Sequence, residues 1–181
     1  NVANRMNYKD LHFQKENRLT HKKSLYAPTG FSSWREKNLV GEVHDDNTAS
    51  LGGVAPHAGL FGTLADVEDY LLGLRKILTG ERHYGFDRRD LEAFVRRQIP
   101  AQVGDFGYIF MKPSAGSSSS GNYFEESSFG HTGFTGTSLW YSPAKDLGVI
   151  LLSNRVCYGS DVEFFKHFRP LVHDLAARLI L

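Results

Sequence analysis

The chain has 181 residues, of which 41% are hydrophobic and 23% charged, the composition of a globular protein and not of a disordered or fibrous one. Its 21 Lys+Arg against 20 Asp+Glu leave a net charge of +1, without the basic excess that a nucleic-acid binder carries. The single cysteine, Cys157, excludes an intramolecular disulfide framework and a cysteine-based zinc site, and no apolar run reaches the ~18 residues of a transmembrane helix.

Residues 1–5 lead into polar sequence, not into the apolar run of a signal peptide, and the compartment stays open. Residues 1–40 hold eight Lys/Arg and three acids, net +5, so the remainder is net −4. This stretch lacks a clean apolar period and reads as a loop-rich basic segment with one short helix around residues 8–15. It is either a solvated surface of a larger fold or a basic arm for an anionic partner. Forty weakly patterned residues read as the continuation of a larger, truncated domain, with residues 41–181 forming the C-terminal part.

A first helix is expected after Gly62. Thr63 is its N-cap, Asp66 the capping-box partner, and Gly80 the stop. Leu64, Val67, Leu71, Leu74 and Leu78 recur on one face. A second helix is expected from Arg88 to Gln98, entered from Asp87, with Leu91, Phe94 and Val95 as its apolar stripe and Pro100 beyond it.

The period then changes. Residues 106–111 are aromatic and β-branched enough for a strand, and 114–121 form a serine-rich flexible loop. Residues 129–141 read as one Gly- and Thr-rich strand, 142–146 as a turn, and 147–152 as an apolar strand covered on both faces. The turn makes the last two an antiparallel hairpin. A closing helix spans 162–181 with Phe165, Phe168, Val172, Leu175 and Leu179 on one face. The fold class is α+β, an antiparallel β-sheet flanked by helices.

The segment Gly130-His131-Thr132-Gly133-Phe134-Thr135-Gly136 is the most informative. Three glycines weaken a strand, and are tolerated where a ligand or another backbone must come close. An imidazole and a hydroxyl beside that approach would face the ligand. The alternative is a glycine-rich strand packed tightly under a helix, with His131 a satisfied polar residue. His44, Asp45, Asp46 and His57 lack metal-ligand spacing, and no metal site or cofactor is expected. His57 either lines a pocket or holds its loop. Cys157 reads as a small packed residue, and Trp34 and Trp140 as core or rim aromatics.

The runs Phe-Gly-His-Thr-Gly-Phe-Thr-Gly-Thr-Ser-Leu-Trp (129–140) and Ser-Pro-Ala-Lys-Asp-Leu-Gly-Val-Ile-Leu-Leu-Ser-Asn-Arg (142–155) resemble a hairpin of the serine β-lactamase and penicillin-binding-protein superfamily. The similarity is to its class C-like branch of DD-peptidases and esterases. The blocks 41–47, 51–61, the helix after them and the tail 169–177 resemble that branch in the same order, so the resemblance spans residues 25–181.

The resemblance implies a β-lactamase/transpeptidase-like fold and a serine hydrolase that cleaves an amide or ester through an acyl-enzyme. It implies that His131 and Thr132 shape the pocket's electrostatics and bind substrate, and that Gly133 lets substrate lie along the strand. The backbone N–H of Phe134 would supply one oxyanion donor.

The superfamily's nucleophile motifs are another matter. The Ser-x-x-Lys match, Ser142-Pro143-Ala144-Lys145, falls in a turn, and the Ser-x-Asn match, Ser120-Gly121-Asn122, in the serine loop. Neither suits a nucleophile. The chain therefore reads as the C-terminal half of a catalytic domain, inactive alone, whose partners are the N-terminal half or another copy of itself and a small acyl substrate. The alternative is a non-catalytic binding or interaction module of the same fold.

Overall fold

The structure, a computed structural model, describes residues 8–15, 19–157 and 162–181. They form two compact units, one running up to Val67 and taking in the segment from Ser153, the other built from Glu68–Leu152 and Val162–Leu181.

In the first unit, β1 (His12–Phe13) is met by β4 (Leu60–Phe61) in antiparallel register, His12 opposite Phe61 and Phe13 opposite Leu60. The helix expected around residues 8–15 is this short strand instead. A segment that brief, without a cap, cannot offset helix nucleation, and pairing with β4 decides its conformation. Inside the stretch read as loop-rich lies a hairpin of β2 (Pro28–Ser32) and β3 (Lys37–Val40). Its buried positions on β2 are Gly30 and Ser32, which is why no apolar alternation announces it. Gly30 adopts φ +87°, and a Cβ there would stand 2.4 Å from the Val156 carbonyl oxygen. A short helix, α1 (Asp46–Ser50), is capped by Asp45, whose carboxylate accepts from the Thr48 N–H at 2.7 Å.

The helix α2 (Leu64–Leu78) starts at the expected capping box. The Asp66 carboxylate accepts from the Thr63 N–H at 2.8 Å, and the Thr63 hydroxyl accepts from the Asp66 N–H at 3.3 Å. The next helix, α3 (Arg88–Val95), has a full capping box of Asp87 and Asp90. It ends three residues before Gln98. Arg96 turns to extended backbone, and the Gln98 N–H bonds the Phe106 carbonyl at 2.9 Å.

The second unit centres on a three-stranded antiparallel sheet in the order β5 (Phe129–Thr132), β6 (Ser138–Ser142), β7 (Leu147–Leu151). The run 129–141, expected as one strand, is therefore two strands and a turn. Gly136, at φ +121°, and the Gly136 N–H to Gly133 carbonyl bond at 3.1 Å close that turn. The hairpin expected across 142–146 is present, with Ser142 opposite Leu147. Residues 106–111 are not a strand. They fold back on themselves, Phe106 bridging Met111, and Met111 alone makes a bridge to Gly130.

Period-2 alternation gives the sheet two faces. Leu71, Leu74 and Ile77 of α2 and Leu91 and Val95 of α3 pack with Phe110 on Phe129 and Tyr141. On the other face Trp140, Leu147 and Val149 pack with Phe124 and with Ala177 of α4 (Val162–Ile180). Strand β7 is covered on both faces, as its continuous apolar run implies. Each fully buried side chain of this size contributes about 1.5–3 kcal/mol.

The stripe expected on α4 is only partly the buried one. Leu175 and Leu179 are exposed, and His173 and Ala177 are fully buried. The helix turns a mixed face, Arg169, His173 and Ala177, toward the sheet, because polar groups there meet hydrogen-bond partners.

Candidate active site

The motif His131-Thr132-Gly133 lies at the end of β5, on the outer edge of the sheet. Gly130 exchanges two backbone bonds with Met111, at 2.8 and 3.1 Å. Gly133 instead donates to Thr137 on the β6 side, at 2.7 Å. Backbone groups alternate in direction along an antiparallel strand, so the N–H and C=O of Thr132 point away from β6, as those of Gly130 do. Among the described residues the Met111 bridge ends before Thr132, whose N–H points away from β6 on that edge.

His131 is exposed, and its Nδ1 lies 2.8 Å from the Thr132 carbonyl oxygen. A carbonyl only accepts, so Nδ1 carries a proton and Nε2 is the ring nitrogen left for another partner. The Thr132 hydroxyl donates to the Met111 sulfur at 3.8 Å. Phe134 follows Gly133 in the turn and is 62% exposed. The structure thus brings His131, Thr132, Gly133 and Phe134 together on one exposed strand end.

All three glycines have local causes. A Cβ at Gly130 would stand 2.2 Å from the Leu139 carbonyl oxygen, and one at Gly133 would stand 2.2 Å from the Thr137 hydroxyl. Gly136 supplies the positive φ of the turn. Tight packing accounts for the glycine spacing without a ligand.

His57 belongs to the first unit. Its Nε2 lies 3.2 Å from both the Asp45 carboxylate and the Thr48 hydroxyl. Asp45 is held below the usual carboxylate range chiefly by the Thr48 backbone and hydroxyl, with His57 adding to it. These contacts tie the loop of His57 to the cap of α1. Among the described residues, no cluster of three or more His, Cys, Asp or Glu could hold a metal ion.

The two serine motif matches are structural. Ser142 is fully buried, and its hydroxyl donates to the Glu125 carboxylate at 2.8 Å and accepts from the Lys145 N–H at 3.2 Å. Lys145 Nζ binds the same carboxylate at 3.1 Å. Partial burial raises the Glu125 carboxyl, but the bonds from Ser127, its own backbone, Ser142 and Lys145 outweigh that and hold it at about 2. Ser120 is also fully buried, and Asn122 binds Asp174 through its N–H and its side-chain amide, each at 2.6 Å. Neither serine is placed to attack a substrate.

Two residues escaped sequence reasoning. Arg169 Nη2 donates to the Gly133 carbonyl at 2.5 Å, and His173 Nε2 lies 3.0 Å from the Ser138 hydroxyl. The available signal was an arginine and a histidine four apart, hence on one face of the helix.

A family model described as Beta-lactamase matches residues 10–164. Proteins named "Putative D-alanyl-D-alanine carboxypeptidase" from Salmonella gallinarum and Salmonella typhi are 32% and 31% identical over 130 residues, 69% of this chain. The matched region spans only 29% of those relatives' length. The fold is similar to that of a beta-lactamase from Mycobacterium bovis, with TM-score 0.54 and 20% identity over 74% of this chain and 48% of that one. No helix among the described residues is long and apolar enough to cross a membrane.

Proposed function

From the premise that the chain belongs to the Beta-lactamase family, we propose that it is the part of a serine hydrolase that supplies the substrate-edging strand. The observation that carries this reading is the exposed end of β5, where the Thr132 N–H points away from β6 beside the His131 ring. A substrate lying along that edge would find a backbone donor, and an imidazole able to accept or, when protonated, donate. Phe134 would contribute one oxyanion N–H, a type of donor worth about 3–4 kcal/mol in the transition state. The substrate class is an acylated amine or alcohol, namely a β-lactam, a peptidoglycan peptide or an ester. The names of the Salmonella relatives favour the peptide.

Acyl transfer needs a nucleophile and a base within about 3 Å of it. Ser142 and Ser120 are buried in structural bonds, so the nucleophile comes from a preceding part of the catalytic domain. The test is covalent labelling. The 181-residue chain alone should take up neither fluorescent penicillin nor a fluorophosphonate. Mixed with the preceding part of the domain, the complex should be labelled, and His131→Ala should slow turnover there. Stoichiometric labelling of the isolated chain overturns the reading.

A further inference from the structure

We propose that Arg169 and His173 are positioning residues that clamp both ends of the turn after β5 and so fix the segment bearing His131, Thr132, Gly133 and Phe134. The two residues are four apart on α4, hence on one helical face. Arg169 reaches the first residue of the turn, Gly133, and His173 reaches Ser138, which stands opposite Thr132 in the β5–β6 register.

The chemistry at each end is specific. The Gly133 carbonyl accepts twice, from the Gly136 N–H that closes the turn at 3.1 Å and from the Arg169 guanidinium at 2.5 Å. The guanidinium also lies 5.6 Å from the centre of the Phe165 ring, which limits its alternatives. His173 is fully buried, and its Nδ1 lies 3.0 Å from the Ser119 carbonyl oxygen. That carbonyl can only accept, so Nδ1 carries the proton and Nε2 accepts from the Ser138 hydroxyl. One tautomer therefore joins the serine loop to the start of β6.

Packing alone does not explain this face. The same helix exposes Leu171, Leu175 and Leu179 while it turns Arg169 and His173 inward. Leucines inward would bury more apolar surface. The polar pair instead offers charge-assisted and oriented bonds to two defined points of the turn.

The catalytic meaning of the clamp rests on the function proposed above, but its geometric role is tested without any activity. Amide hydrogen exchange is followed by NMR on the full chain and on Arg169→Met, Arg169→Lys and Ser138→Ala. In Arg169→Met the Gly136 and Gly133 amides should exchange at least about tenfold faster, the loss expected for one charge-assisted bond. Amides across β7 should stay within about twofold. Arg169→Lys should recover part of the protection. Ser138→Ala removes a single hydroxyl and keeps the test open if the arginine variant does not fold. It should speed exchange in the turn in the same selective way. Unchanged exchange at Gly136, or uniform acceleration across the whole sheet, overturns the clamp.

Discussion

Gly130 faces Trp140 across β5 and β6, and the indole occupies the space that a side chain on Gly130 would need. A Cβ there would stand 2.6 Å from the ring and 2.2 Å from the Leu139 carbonyl oxygen. The ring could rotate away, but the carbonyl belongs to the ladder that holds β6. Gly130→Ala should therefore destabilise the protein by about 1–3 kcal/mol or more, the range of overpacked cores. Trp140→Leu should not rescue it, because the backbone clash remains. Urea unfolding of the single and double variants measures both, and a rescue by Trp140→Leu would place the strain in the ring instead.

Ser142 binds the Glu125 carboxylate and caps the β6–β7 turn. Ser142→Ala should cost about 1–3 kcal/mol, because a partly buried carboxylate loses a donor. It should leave labelling of the reconstituted domain unchanged. A variant as stable as the parent, or one whose labelling is lost, would contradict the structural role.

Acid should weaken the fold in two windows. Burial lowers the proton affinity of His173 from its ordinary 6.5, against the backbone bonds that raise it. A folded-state value below the unfolded one means that the unfolded chain binds more protons between the two. The stability this gives is complete above pH ~6.5 and is lost as pH falls through the folded value. Glu125 at about 2 from 4.5, and Asp146 at about 2 from 3.8 through Arg75 and Tyr141, act lower down. Their contribution is present above pH ~4.5 and disappears as pH falls toward 2. Thermal unfolding from pH 8 to 2 should show a first decline below neutrality that His173→Gln flattens. A second decline, which that variant leaves intact, should follow below pH ~4.5.

Leu171, Leu175 and Leu179 line an exposed side of α4, with Phe164 preceding them. We propose that the preceding part of the catalytic domain covers this stripe. The chain alone should run above its 20.3 kDa mass in light scattering, and Leu171→Glu with Leu175→Glu should return it to a monomer. The preceding part should displace the self-association. A wild-type chain that stays monomeric and ignores that part would show the stripe to be ordinary surface.

Local chemistry is what the sequence by itself determined. Thr63 with Asp66 and Asp87 with Asp90 cap their helices through atoms three residues apart, so no distant contact is needed to place α2 and α3. The apolar run 147–151 carries its burial on both faces in its composition, and the ordered motifs around His131 carry the family.

Tertiary structure decided the rest. Strand β2 of the β2–β3 hairpin buries a glycine and a serine, which give no apolar alternation. Residues 106–111 have strand composition but fold back, because Met111 meets Gly130 and not a full partner strand. The run 129–141 breaks at a turn closed by the Gly136 N–H to Gly133 carbonyl bond, and the chain leaves that turn through the positive φ of Gly136. On α4 the apolar period marked the buried side only in part, since Phe165, Phe168 and Val172 are half-buried but Leu175 and Leu179 are exposed. Which face of a helix turns inward depends on where its polar groups find partners, and for Arg169 and His173 those are Gly133, Ser138 and Ser119, 35 to 54 residues earlier in the chain.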